Sequence, residues 1–170
     1  MKYMVISDVH GGLYELNKVL GIYEKEHCSK LLILGDLFNY GFYLNREDIV
    51  NMLNSLKENI IAVCGNCDNN INDILFEMPY INKINLNDKD IILTHGHLYT
   101  KNYLSKLDTD IIFMGHSHIA NIEYLNNKLF INPGSIYKSR SGENSFAIIE
   151  KNKITIRNLN NEIIKQQNIL

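Results

Sequence analysis

Lys30-Leu31-Leu32-Ile33-Leu34-Gly35-Asp36 is the stretch on which the reading of the fold turns. Four apolar residues in a row stop at a glycine and then a carboxylate. A short apolar run bounded by turn residues suits a strand buried on both faces of a parallel sheet. Such sheets place function in the crevice beyond the carboxyl ends of their strands. Asp36 would stand at that edge.

The same pattern recurs on both sides. Lys2 to Ser7 reads as a first buried strand ending in Asp8-Val9-His10-Gly11-Gly12. Leu13, Leu16, Leu20 and Tyr23 then follow at helical spacing, which predicts a helix to about Glu26. Asn45 is placed to cap a second helix whose inner face is Ile49, Met52, Leu53 and Leu56. Ile60 to Val63 is a third strand, ending in Cys64-Gly65-Asn66-Cys67-Asp68. The order βαβαβ with short connections implies parallel strands.

The second half reads differently. Tyr80 to Leu86 and Asp90 to Thr94 are strands about the turn Asn87-Asp88-Lys89, and the second of them ends in His95-Gly96-His97. A short helix is expected over Lys101 to Leu107. Ile111 to Met114 is another buried strand, ending in Gly115-His116-Ser117-His118. Two strands about Asn126-Asn127, the sharp turn Asn132-Pro133-Gly134-Ser135, and a hairpin of Ser145 to Glu150 with Lys153 to Asn158 complete the pattern. The tail from Asn160 to Leu170 fits either a strand or an ordered extension. The expectation is one domain over residues 1–170, mostly parallel first and mostly antiparallel later.

Composition bounds the function. With 170 residues, 45% apolar and 21% charged, the chain is long enough for a substantial core. A net charge of −2 gives no electrostatic reason to bind long nucleic acids or membranes. No apolar run approaches bilayer length and no secretory segment is visible. Three cysteines, Cys28, Cys64 and Cys67, do not form a disulfide framework, and a reducing cytoplasm is the expected setting. Cys64-Gly65-Asn66-Cys67 spells C-x-x-C, but there is no second pair to complete a zinc site.

The chain has six histidines, and five of them (His10, His95, His97, His116 and His118) follow an apolar run. Loops at strand ends tolerate polar residues in any case. That does not account for five of six together with Asp8, Asp36 and Asn66. Imidazoles, carboxylates and an amide oxygen suit Mn²⁺, Fe²⁺, Zn²⁺ or Ni²⁺. A closed structural zinc site would more often use thiolates. Asp8, His10, Asp36, Asn66, His95, His116 and His118 are more ligands than one ion needs if substrate is also to bind. Two ions use them if one carboxylate bridges.

Asp8-Val9-His10, Gly35-Asp36, Gly65-Asn66-Cys67-Asp68, Thr94-His95-Gly96-His97 and Gly115-His116-Ser117-His118 occur in the order of the calcineurin-like metallophosphoesterases. With Asn132-Pro133-Gly134-Ser135 and the short chain, the sequence resembles the small YfcE-type phosphodiesterases from about Met1 to Arg157. The resemblance implies an α/β metallophosphoesterase-like sandwich of two mixed β-sheets flanked by helices. It implies one divalent ion on Asp8, His10 and His118, another on Asn66, His95 and His116, and Asp36 as the bridge. Mn²⁺ is the first expectation, with Fe²⁺, Zn²⁺, Ni²⁺ or Mg²⁺ as alternatives. In an extended strand end, His116 and His118 would point the same way and reach both ions. The implied reaction is in-line hydrolysis of a small phosphodiester by a hydroxide held between the ions.

Cys67 stands where the wider family often has a histidine acid, a departure that YfcE-type members share. His97 is one alternative acid, and a metal-bound water is another. Asp68 is read either as a carboxylate that orients His10 or another ligand histidine, or as a turn former. Asn39, in the aromatic loop Phe38 to Tyr43 just past Asp36, is a candidate phosphate contact. The loop's aromatics either stack on substrate or serve packing or a homo-oligomer contact. Arg140 is the second phosphate candidate, ahead of Lys138, because its fork matches phosphate geometry. The alternatives are a nucleotide or monoester phosphatase, a nuclease, or a non-catalytic scaffold of the same fold.

Overall fold

The computed structural model describes residues 1–39, 45–68 and 71–169. Three parallel strands open the chain: β1 (Lys2–Ile6), β2 (Lys30–Ile33) and β3 (Ile60–Ala62). Helices α1 (Leu13–Lys25) and α2 (Arg46–Ser55) connect them, the second followed by one 3-10 turn. The next strands are β4 (Ile81–Leu86), β5 (Lys89–Thr94), β6 (Ile111–Met114), β7 (Asn121–Leu125) and β8 (Lys128–Asn132). A one-turn helix α3 (Lys101–Leu104) lies between β5 and β6. The chain then returns as β9 (Ser145–Glu150), β10 (Lys153–Asn158) and β11 (Ile163–Asn168).

These strands form two mixed sheets, ordered β11-β10-β9-β1-β2-β3 and β4-β5-β6-β8-β7. Strand alternation explains the layers. Tyr3, Val5, Leu32 and Leu34 of the first sheet pack with Ile91, Leu93, Phe113 and Ile131 of the second, so the sheets close on each other. Met4, Ile6, Leu31 and Ile33 face the other way, onto Leu16, Leu20 and Tyr23 of α1 and Ile49 and Leu53 of α2. Both faces of β1 and β2 are therefore buried, as their unbroken apolar runs required.

Of the two alternatives for the C-terminal tail, the strand is the one observed: β11 is an edge strand against β10. The second half is mostly antiparallel as expected, with two parallel pairs, β5 with β6 and β6 with β8, at the centre of its sheet. Two expectations need correction. The helix expected to reach Leu107 ends at Leu104. Asn45 does not cap α2 with its side chain. Its φ is +55° and its amide donates to the Gly11 carbonyl at 3.0 Å, tying the helix entry to the loop after β1. Among the described residues, no helix is long and apolar enough to cross a membrane.

Candidate metal centre

The strand ends at one edge of the sandwich are stitched together beyond the sheets. Asp8 N donates to the Gly35 carbonyl at 3.0 Å, His10 N to Asp36 at 2.9 Å, and Gly115 N to His95 at 3.0 Å. The approach is close because the turns carry glycine. A Cβ added at Gly65 would overlap the Asp36 carboxylate, and one at Gly115 would lie 2.9 Å from Asp8 Oδ2.

Asp8, His10, Asp36, His116 and His118 all adopt left-handed backbone, with φ between +47° and +66°. Asp, Asn and His tolerate this region better than most side chains, at a cost of about 1–3 kcal/mol each. The turn swings each side chain out of the strand direction and across the edge. The expected extended conformation of His116-Ser117-His118 is therefore wrong. Two left-handed residues send His116 and His118 to different partners.

His118 Nε2 lies 3.1 Å from Asp8 Oδ1 and 3.3 Å from His10 Nε2. His95 Nε2 lies 3.1 Å from Asn66 Oδ1, 3.3 Å from His116 Nδ1 and 3.3 Å from Asp36 Oδ2. Asp36 Oδ2 is also 3.7 Å from His10 Nε2. The seven predicted ligands thus fall into two clusters that meet at Asp36. Two ligands each ~2.1 Å from one ion are ~3.0 Å apart at right angles and ~3.4 Å apart at a tetrahedral angle. The observed separations are of that size.

The protons are arranged for the same purpose. His95 Nδ1 donates to the Leu34 carbonyl and His118 Nδ1 to the Lys138 carbonyl, each at 2.7 Å. A carbonyl only accepts, so in the neutral rings both Nε2 atoms keep lone pairs turned inward. Asp8 Oδ2 accepts from Ser7 Oγ at 2.6 Å and from His116 N at 3.1 Å. Its Oδ1 is buried with no hydrogen bond among the described residues and faces Nε2 of His10 and of His118. An orphaned carboxylate oxygen against two imidazole nitrogens, the His118 one with its lone pair turned inward, fits a divalent cation.

The electrostatics agree. Burial pushes the Asp8 carboxyl up, but His10, His118, His95 and Ser7 outweigh it and hold it far below the usual carboxylate range. Asp36 is also lowered: burial opposes, while His95 and the Cys67 N–H prevail. His118 is raised by the Asp8 carboxylate beside it, and His95 by Asp36 against burial. The pocket draws positive charge. His97 and His116 are instead lowered by burial and by neighbouring His95.

The remaining candidates divide. His97 sits beside the second cluster, its ring 5.3 Å from that of His95 and 6.3 Å from that of His116. Cys67 N donates to Asp36 Oδ1 at 2.8 Å, and its sulfur lies among His10 and Asp36 as a third ligand-type atom. Asn39 donates to the His10 carbonyl at 3.0 Å, and its oxygen accepts from Lys138 Nζ at 3.2 Å. Arg140 is exposed, and its charge is felt at His118. The aromatic loop residues Tyr40, Phe42 and Tyr43, with Gly41, lie outside the described residues.

Of the two roles read for Asp68, the one that orients a histidine needs correction: among the described residues its carboxylate bonds none, while its bond from Gly65 N fits the turn former. The carboxylate accepts three backbone N–H groups, from Asp36 at 2.6 Å, Leu37 at 2.7 Å and Gly65 at 2.8 Å. It clamps the loops that carry Asp36 and Asn66 to each other. Sequence reasoning also missed Ser7 and Ser135. Ser135 Oγ donates to the Asp8 carbonyl at 2.7 Å, and Asn132 Nδ2 donates to the Gly115 carbonyl at 2.8 Å. The Asn-Pro-Gly-Ser turn thereby braces both ligand loops. Its composition announced a turn but not what the turn would hold.

A model of the calcineurin-like phosphoesterase superfamily domain matches residues 1–153. Phosphodiesterase YfcE of Escherichia coli (strain K12) is 30% identical over 179 aligned residues, covering 98% of this chain and 97% of that protein. The solved structure of Yfce, a phosphoesterase from E. coli, is similar with a TM-score of 0.90 at 29% identity, over 100% of both chains. Vps29 from Entamoeba histolytica, solved in complex with zinc, has a TM-score of 0.69 at 23% identity over 99% of this chain and 98% of that one. At that identity the likeness is one of fold alone. The match over most of the chain, with the full-length relative, shows that this protein belongs to the calcineurin-like phosphoesterase superfamily.

Proposed function

We propose that this phosphoesterase hydrolyses small phosphodiesters with two divalent ions, Mn²⁺ first among them. The single observation that carries the reading is the pair of ligand clusters that share Asp36. Asp8, His10 and His118 would hold one ion, Asn66, His95 and His116 the other, with Asp36 between them. Bound there, the ions would supply Lewis acidity and an activated water for in-line attack at phosphorus.

The chain's own residues do the rest. Leu34 and Lys138 carbonyls fix the ring orientation of His95 and His118. Asn66 donates a neutral oxygen, which limits negative charge where a phosphate anion must enter. Lys138, held by Asn39, and Arg140 stand on the His118 side as phosphate contacts. Cys67 is a weak proton donor to an alkoxide, and His97 is the nearest imidazole outside both clusters. Substrates with good leaving groups, such as aryl esters, are therefore favoured. Nothing in the net charge of −2 recruits long nucleic acid or a membrane, and we place the protein in the cytoplasm as one domain.

The test is hydrolysis of bis(p-nitrophenyl) phosphate and p-nitrophenyl phosphate across Mn²⁺, Zn²⁺, Ni²⁺ and Mg²⁺, with metal content measured in parallel. The diester should be preferred, and Asp36→Asn should lose both turnover and about two bound ions per chain. A wild type as inert as Asp36→Asn with every metal would support the scaffold reading instead. Monoester preference would support the phosphatase.

A further inference from the structure

A cavity of about 330 Å³ lies on the outer face of the second sheet, directly beside the metal centre. Its origin is strand register. Asn121 is opposite Asn132 and Glu123 opposite Phe130 across β7 and β8, so these side chains share one face. Helix α3 covers part of that face, where Leu104 packs on Ile92, Ile112 and Phe130. The helix is a single turn. It leaves a concave strip of Met114 and Phe130 that runs toward Ile119. Lys101 at the start of α3 pairs with Glu123 of β7, and this ion pair forms part of the wall. At the other end the wall is Gly115, His116 and Ser117. The His116 ring is 5.1 Å from that of His95, so the cavity shares a wall with the second ligand cluster.

A largely apolar hollow of this size suits a planar organic group rather than a phosphate. Its neighbour is the place where the phosphorus would sit. A group held there throughout the reaction turns binding energy into orientation of the reacting centre. We infer that this cavity receives the organic group that stays on phosphorus, and that it selects diesters whose retained group is aryl or similarly flat and apolar. The inference rests on the phosphodiesterase reading above.

Ile119 is the residue to change, because it is 47% exposed at the cavity wall and no ligand. Two chromogenic diesters with the same leaving group would be compared under Mn²⁺: p-nitrophenyl phenyl phosphate and methyl p-nitrophenyl phosphate. The wild type should prefer the phenyl ester by about tenfold or more in kcat/KM, the order expected for filling an apolar pocket. Ile119→Trp, which fills the cavity, should abolish the preference and leave the methyl ester within about twofold of wild type. Ile119→Ala, which widens it, should raise KM for the phenyl ester alone. A preference unchanged in both variants, or an equal loss for both esters, overturns the inference and leaves the phosphodiesterase reading standing. Failure of the wild type to cleave either diester overturns that reading, and this inference with it.

Discussion

Asp68→Asn is the most informative single change outside the ligands. The native carboxylate accepts from Asp36 N and Gly65 N through Oδ2, and from Leu37 N through Oδ1. An asparagine has one acceptor oxygen. Its best placement keeps the Asp36 and Gly65 bonds and turns the amide NH₂ toward the Leu37 N–H. One buried donor is then orphaned, at about 1–3 kcal/mol. The two surviving bonds lose their charge assistance and about half their strength. Asp68 is only 6% exposed, so water does not replace the lost acceptor. Burial pushes the Asp68 carboxyl up against these N–H groups, so removing the charge recovers part of the loss. The net cost is about 2–3 kcal/mol, which a domain stable by about 5–15 kcal/mol survives. Urea denaturation followed by circular dichroism, without metal, should show that loss. Mn²⁺ titration calorimetry should show affinity reduced about 10–100-fold, because the loops bearing Asp36 and Asn66 are no longer clamped. An unchanged metal-free denaturation midpoint, with only metal affinity lost, would refute the clamp and restore the idea that Asp68 orients a ligand.

Further outcomes follow from the same geometry. Gly65→Ala places a Cβ against the Asp36 backbone nitrogen and 2.9 Å from Asp36 Cγ, so the Asp36 carboxylate and its loop must shift. Turnover of a chromogenic diester should fall about 100-fold, with a stability loss of about 1–3 kcal/mol in urea melts. Glu26 accepts from Lys2 at 2.7 Å, Asn161 at 2.9 Å and Arg157 at 3.0 Å, and the Lys2 bond chiefly lowers its pKa from 4.5 to about 2. A lowered carboxyl contributes stability above the unfolded value. The wild type should therefore exceed Glu26→Gln by about 1–2 kcal/mol at pH 6, after allowing for solvent screening. The gap should close as the pH falls from 4.5 to about 2; a gap constant across that window in urea melts would contradict the assignment. Asn45→Ala should cost about 1–2 kcal/mol, since it loses a tie to Gly11 at a φ of +55°, while Asn45→Gly should recover part of it.

Both readings of the chain agree best where the information is local. The runs Met4-Val5-Ile6, Leu31 to Leu34 and Ile111 to Met114 are buried strands because a stretch apolar at every position has no face to give to water. The ends of those runs, and of Ile91 to Leu93, offered Asp8, Asp36, His95, His116 and His118 as candidate ligands by residue type. Those assignments needed only a strand's period and a turn's composition.

What tertiary structure alone decided is partnership. Nothing near Asp68 in sequence indicated that its partners would include the backbone of Asp36 and Leu37, 31 or 32 residues earlier. Nothing in His116-Ser117-His118 required two left-handed residues, because that backbone is held by Asp8 Oδ2 and by Arg140 N bonding the His118 carbonyl. The place of β9 beside β1, and of β11 at the sheet's edge, was likewise set by pairing between distant segments. The sequence by itself determined which residues would reach the edge of the sheets and what chemistry they would carry, because strand period and turn composition are short-range properties. The fold decided which imidazole meets which carboxylate, and which oxygen is left bare for a cation, because hydrogen-bond satisfaction is settled among groups that only the closed chain brings together.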